Sequence, residues 1–195
     1  MGPAVFLLVG LGNPGDRYRG HRHNLGWDAV VGIVRRCGLA EGRERFRGIF
    51  GDGQVEGRRL MWLLPTTFMN LSGEAVGEAV RFYKVEVGRV VVFHDDLDLE
   101  LGRLKMKIGG GHGGHNGLRS IQQVLGTAEF VRVRLGIGRP PVGVDPARFV
   151  LQPFEPHERG LADEVLECLP GALPWILDHD FGRALNHCVR QRRPL

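Results

Sequence analysis

Two unbroken apolar runs, Val5–Val9 and Val90–Phe93, constrain the fold of this 195-residue chain more than any other feature. A strand apolar on both faces must be covered on both, which a parallel sheet between helical layers provides. Val90–His94 is the clearest buried strand, and amphipathic segments alternate with such runs along the chain. Leu25–Cys37 reads as a helix, with Leu25, Ala29, Val30, Ile33, Val34 and Cys37 on one face, Asn24 as cap and Gly38 as stop. Phe46–Val55 and Arg59–Leu64 read as strands around a Glu56-Gly57 turn, and Leu71–Tyr83 as a second helix capped by Asn70. Arg103–Ile108 alternates basic and apolar residues as a half-exposed strand does. Leu118–Leu125 reads as a short helix and Val131–Ile137 as another strand. After Pro140-Pro141 an irregular segment is expected to Val150, then helices near Glu158–Cys168 and Phe181–Val189, separated by Pro170 and Pro174. Interleaved strands and helices predict an α/β fold, a mostly parallel central sheet with helices on both faces. With no repeat and no linker, residues 1–195 read as one domain, helical from about residue 156.

No apolar run approaches the ~20 residues of a membrane helix, and no basic region precedes an apolar stretch as in a signal peptide. The expectation is therefore a cytoplasmic protein with no membrane association. Cys37, Cys168 and Cys188 are widely spaced and without a CxxC pair, so they are expected to be buried free thiols. The 26 basic residues against 22 acids include only three lysines: Lys84, Lys105 and Lys107. Such arginine excess suits a phosphate-bearing partner, and a hot habitat or a GC-rich genome gives the same bias.

Four loops carry the chemistry. Gly10–Gly15 satisfies GxGxxG after a strand, but Pro14 intervenes and no helix is expected before Leu25, so a dinucleotide site is disfavoured. The same loop offers Asn13, Tyr18, His21 and His23 at the carboxyl end of a strand, where open α/β sheets place ligands. His94-Asp95-Asp96-Leu97-Asp98 ends the buried strand, and its carboxylates can close a turn, bind Mg²⁺ or orient a histidine. Gly109–Gly117 holds six glycines in nine residues around His112, His115 and Asn116; its backbone N–H groups suit an anion, and the histidine pair invites a weak metal reading. Pro65–Gly73 contains Phe68, Met69 and Asn70, and its spacing favours a simple helix start. The only serines, Ser72 and Ser120, lie in or beside predicted helices and lack a nucleophile elbow, so a hydrolase would use activated water. Arg103/Lys105/Lys107 and Arg132/Arg134 have period-2 spacing, compatible with a solvated sheet face or a phosphate grip.

Together VGLGNPG (Val9–Gly15), Tyr18, RHNLG (Arg22–Gly26), PTTFMNLSG (Pro65–Gly73), HDDLDL (His94–Leu99), KIGGGHGGHNGL (Lys107–Leu118) and RLGIGRP (Arg134–Pro140) resemble the bacterial-type peptidyl-tRNA hydrolase family, in family order. The resemblance covers the first three-quarters of the chain. It implies a twisted mixed sheet and hydrolysis of the ester joining a peptide to the 3′-ribose of tRNA, recycling tRNA from abandoned translation. It also implies His23 as general base, Asp95 as its orienting partner and Asn13 as the residue distinguishing N-blocked substrates. By the same resemblance Asn70 and Asn116 contact peptide or water, Tyr18 and Phe68 line the cleft with Met69 packed nearby, and Lys107 and Arg134 grip the tRNA 5′-phosphate. A monomer needing no metal and no cofactor follows from it, with the C-terminal quarter, including Arg190, Arg192 and Arg193, contributing a helical lid and a basic tail. The main rival is a noncatalytic RNA-binding relative; a metal-dependent hydrolase using Asp95, Asp96 and the loop histidines is second.

Overall fold

The computed structural model describes residues 4–191. Seven strands form one twisted sheet: β1 (Val5–Gly10), β2 (Arg43–Arg45), β3 (Gly48–Val55), β4 (Arg58–Pro65), β5 (Val90–Asp96), β6 (Leu104–Ile108) and β7 (Val131–Gly136). Their order is β2-β3-β4-β1-β5-β7-β6. The central strands β4, β1, β5 and β7 are parallel, and both flanks are antiparallel. Among the described residues six α-helices accompany them: α1 (Leu25–Arg36), α2 (Ser72–Tyr83), α3 (Asn116–Leu125), α4 (Pro146–Phe149), α5 (Pro156–Leu177) and α6 (Phe181–Gln191).

The apolar runs divide their residues between two cores, as strand alternation requires. Leu8, Val91, Phe93 and Val133 pack with Ala29, Ile33, Leu169 and Leu173 of α1 and α5. Leu7, Val9, Val90 and Val92 pack with Ala75, Val76, Ala79 and Ile121 of α2 and α3. The strand order places the site because the chain leaves the carboxyl end of β1 toward β4 and that of its neighbour β5 toward β7, in opposite directions. A crevice opens at such a switch point.

Several local expectations change. α5 runs unbroken through Pro170 and Pro174. Each interior proline costs roughly 3 kcal/mol of helix stability. That cost is outweighed because α5 buries Val165, Cys168, Leu169, Ala172, Leu173, Ile176 and Leu177 in one core. The expected free thiols are corrected too: Cys168 and Cys188 form a disulfide between α5 and α6, with Cα atoms 5.0 Å apart, and only Cys37 is free. The pairing comes from docking of α6 on α5, which no local spacing encodes. The segment before Val150 contains the one-turn helix α4, capped by Asp145 accepting from Ala147 N–H at 3.1 Å. Neither Asn24 nor Asn70 caps a helix through its side chain. Among the described residues no helix is long and apolar enough to cross a membrane. Arg192 and Arg193, expected in a basic tail, lie outside the described residues.

Candidate active site

α1 begins unusually close to the sheet. A Cβ on Gly26 would lie 2.1 Å from the Phe93 carbonyl oxygen, so only glycine permits that approach. The contact sets the turn before α1 beside the end of β5 and delivers His23 to Asp95. The backbone N–H of His23 donates to the Val150 carbonyl at 2.8 Å, fixing the turn from its other side. Its neighbour Arg22 is buried, meets Glu158 of α5 at 2.5 Å and stacks over Phe149 at 4.3 Å.

Asp95 sits between two histidines. His23 Nδ1 lies 2.9 and 3.0 Å from its two oxygens, and His115 Nε2 lies 3.0 Å from Oδ1. The tautomers follow from the partners. The N–H groups of Gly117 and Leu118 donate to His115 Nδ1 at the start of α3, so that nitrogen carries no proton. His115 therefore holds its proton on Nε2 and donates it to Asp95. An ionised carboxylate only accepts, so His23 likewise donates from Nδ1, leaving its Nε2 lone pair bare.

Electrostatics reinforce this arrangement. Burial alone would lower the His23 pKa, but the charge and hydrogen bond of Asp95 outweigh it and raise the value above 6.5. Burial would raise Asp95, yet the two histidines hold it far below the usual carboxylate range. His94 lies behind the pair, its Nδ1 donating to the Asp95 carbonyl at 2.8 Å. Burial first, and then the charge of His115, depress the His94 pKa to about 3, so this ring stays neutral.

A cavity of about 600 Å³ opens over this pair, lined by His23, Asp95, His115, Asn116, Lys107, Arg134 and residues of α4. Arg134 donates to Asp96 at 2.7 Å, whereas Lys107 makes no ion pair among the described residues. Burial, then the neighbouring Arg134 and Arg132, lower the Lys107 pKa. Asn13 is buried: its Oδ1 accepts from Met69 N–H at 2.9 Å, and its backbone is clasped by the side chain of Asn24. Met69 is buried in the core under α2, while Phe68 is 54% exposed and Asn70 is also exposed. Tyr18 is half-buried, edge-on to His21, with the Arg17 guanidinium 4.6 Å over its ring. Tyr18, Phe68 and Asn70 do not line the cavity over His23.

Sequence reasoning missed His115 as a partner of Asp95. The available signal was a histidine one residue before a helix, where a ring nitrogen can cap. His112 is not in the group that could share an ion with His115: its Nδ1 accepts from Gly114 N–H, and the donor atoms near His115 belong to His23 and Asp95, within 4.8 Å of one another. Both serines serve the backbone, Ser72 donating to the Met69 carbonyl and Ser120 accepting from Gly73 N–H.

Known proteins share this sequence and geometry. The family model for peptidyl-tRNA hydrolase matches residues 7–194. The peptidyl-tRNA hydrolase of Geotalea daltonii is 48% identical over 164 residues, 84% of this chain and 85% of that protein. That of Citrifermentans bemidjiense is 45% identical over 183 residues, 94% of this chain and 97% of that one. The crystal structure of peptidyl-tRNA hydrolase from Acinetobacter baumannii superposes with a TM-score of 0.88 at 35% identity, covering 94% of each chain. A 5′-methylthioadenosine nucleosidase from Arabidopsis thaliana, 9% identical with a TM-score of 0.53, shares the fold alone. A match over nearly the whole length, joined to a shared fold, places this chain in the peptidyl-tRNA hydrolase family.

Proposed function

We propose that this enzyme hydrolyses the ester between a peptide, or an N-blocked aminoacyl group, and the 3′-ribose of tRNA, with His23 as general base. The observation that carries the reading is the hydrogen bond from His23 Nδ1 to both oxygens of buried Asp95, which turns a bare Nε2 to the cavity. Water held at Nε2 gives up its proton as its oxygen bonds to the ester carbonyl carbon. The tetrahedral intermediate then loses the 3′-oxygen, which takes the proton back from the imidazolium. The products are a free carboxylate and tRNA with a free hydroxyl. Asp95 stabilises the imidazolium formed between these steps. The step draws on no metal or cofactor.

Asn13 is assigned the discrimination. With Oδ1 engaged by Met69, its amide nitrogen is the end left to donate to a blocked amino group's carbonyl. Asn70 and Asn116, both exposed beside helix starts, contact the peptide or position water. Tyr18 and Phe68 offer flat faces to the terminal bases or peptide, with Met69 packed beneath. Lys107 and Arg134 hold the 5′-phosphate, in a monomer working in the cytoplasm. The test is hydrolysis of N-acetylated aminoacyl-tRNA beside its unblocked twin, both in EDTA. Release from the blocked substrate alone is expected; tRNA binding with no release would place the chain among noncatalytic RNA binders.

The phosphate contacts have a separate signature. Lys107→Ala should weaken tRNA binding and flatten the log–log salt slope by about one unit. Arg134→Ala should act in the same direction. Titrations at several salt concentrations read both, and an unchanged slope removes the residue from the grip.

A further inference from the structure

Arg132 and Arg134 share one face of β7, two residues apart, and look interchangeable in sequence. Their surroundings separate them. Arg134 stands at the cavity rim against Asp96. Arg132 is 1% exposed and is the largest fully buried side chain among the described residues. Its guanidinium lies 4.8 Å over the Phe130 ring and donates Nη1–H to the Gly111 carbonyl at 2.6 Å and Nη2–H to the Gly110 carbonyl. Gln122 of α3 donates to the same Gly110 oxygen at 2.9 Å. A permanent cation is thus held near the like charges of Lys107 and Arg134; Glu129 attracts it, but its hydrogen-bond partners are two backbone carbonyls.

Those carbonyls belong to the stretch hardest to order in the chain. Gly109, Gly110, Gly113 and Gly114 all have positive φ, so the loop uses conformations that other residues resist, at the entropic cost glycine carries. At its far end the loop delivers His115 to Asp95 and Asn116 to the cavity. The α3 cap pins that end, and at the near end Gly109 N–H donates to the Phe130 carbonyl at 3.2 Å while the guanidinium fork grips the next two residues.

We propose that Arg132 is a positioning residue for hydrolysis, acting through the glycine loop to hold His115 against Asp95 and Asn116 in the cavity, and not a phosphate contact. The inference deepens the reading of His23 and Asp95 as the catalytic pair and rests on it. Displacing a reacting group by about 1 Å can cost on the order of 10²-fold in rate, and the loop holds a group in direct contact with the catalytic carboxylate.

The test compares Arg132→Met, which keeps bulk and removes both bonds, with Arg132→Lys, which restores a donor without the planar fork. Ring ¹⁵N signals of labelled histidine report the His115 Nε2–H, and turnover and the salt slope of tRNA binding are measured on the same samples. In Arg132→Met the His115 signal is expected to shift and turnover to fall at least about tenfold, with the salt slope unchanged and Arg132→Lys recovering part of the loss. Should Arg132→Met not fold, Gln122→Ala removes only the second donor to Gly110 and is expected to move the His115 signal in the same direction by less. An unmoved His115 signal in the folded variants overturns the proposal, as does a salt slope reduced by about one unit as in Lys107→Ala. Retained turnover in His23→Ala would instead defeat the reading of the catalytic pair, a failure the His115 signal does not share.

Discussion

His23→Ala is expected to lower turnover by about 10²–10⁴-fold, the range that general-base assistance supplies, while tRNA affinity stays close to that of the parent. The split follows from where the charge lies. On the proposed reading binding draws on Lys107 and Arg134, which line the cavity, and the imidazole presents only a neutral lone pair before reaction. Single-turnover hydrolysis and equilibrium tRNA binding, measured side by side, separate the two. Normal turnover in this variant would remove His23 from the chemistry. A parallel collapse of binding would make it a substrate contact instead.

Asp95→Asn is expected to cost as much or more, on the order of 10³–10⁴-fold, because it disables the base without deleting it. His115 cannot change tautomer without giving up the α3 cap, so it continues to donate Nε2–H toward the Oδ1 position. The new amide then keeps its oxygen there and turns its NH₂ toward His23 Nδ1. Facing a donor, His23 must leave Nδ1 bare and move its proton to Nε2, the atom that has to accept from water. The same substitution changes the pH dependence. In the parent, activity needs neutral His23, whose pKa Asp95 raises above 6.5, so kcat/KM should climb with pH through that raised value. Without the carboxylate only burial acts on the ring, which lowers its pKa, so the acidic limb should move to lower pH as the plateau falls. A pH–rate profile of unchanged position would sink the His23–Asp95 pairing.

The environment also explains why a two-histidine carboxylate suits this reaction. A histidine sharing its carboxylate with a second donor has part of that charge already satisfied, so the imidazolium is supported without being locked in place. His94 is a much weaker base, since burial first and then His115 depress its pKa to about 3. On the proposed mechanism the chemistry is confined to one ring nitrogen of His23.

Much of this was legible before any coordinates. Val90–His94 follows from its unbroken apolar run and the helix starting at Leu25 from its periodicity; they place Asp95 at a strand carboxyl end and His23 just before a helix. The hairpin at Glu56-Gly57 emerged as two strands, Gly48–Val55 and Arg58–Pro65. Less legible were the elements whose stability is tertiary. Three residues of β2, Arg43–Arg45, have no apolar alternation of their own and form by pairing with β3. The prolines of α5 argued for a break, and a buried helical face outweighed them.

What the amino-acid sequence determined alone was therefore the α/β order, the two-sided burial of the central strands and the set of loops holding polar chemistry. Those features depend on local periodicity and on backbone permissions of glycine and proline, which short stretches of chain carry in themselves. The tertiary structure alone decided which carboxylate serves which partner: Asp95 turns inward between His23 and His115, while Asp96, one residue on, turns to Arg134. It likewise decided that Arg132, 1% exposed, is held by the carbonyls of the glycine loop while Arg134 pairs with Asp96, and that Cys168 meets Cys188. Alternation along a strand says that neighbours point to opposite faces. What waits on each face is set by distant segments, 72 residues away between His23 and Asp95 and 136 between Arg22 and Glu158, and only packing brings them there.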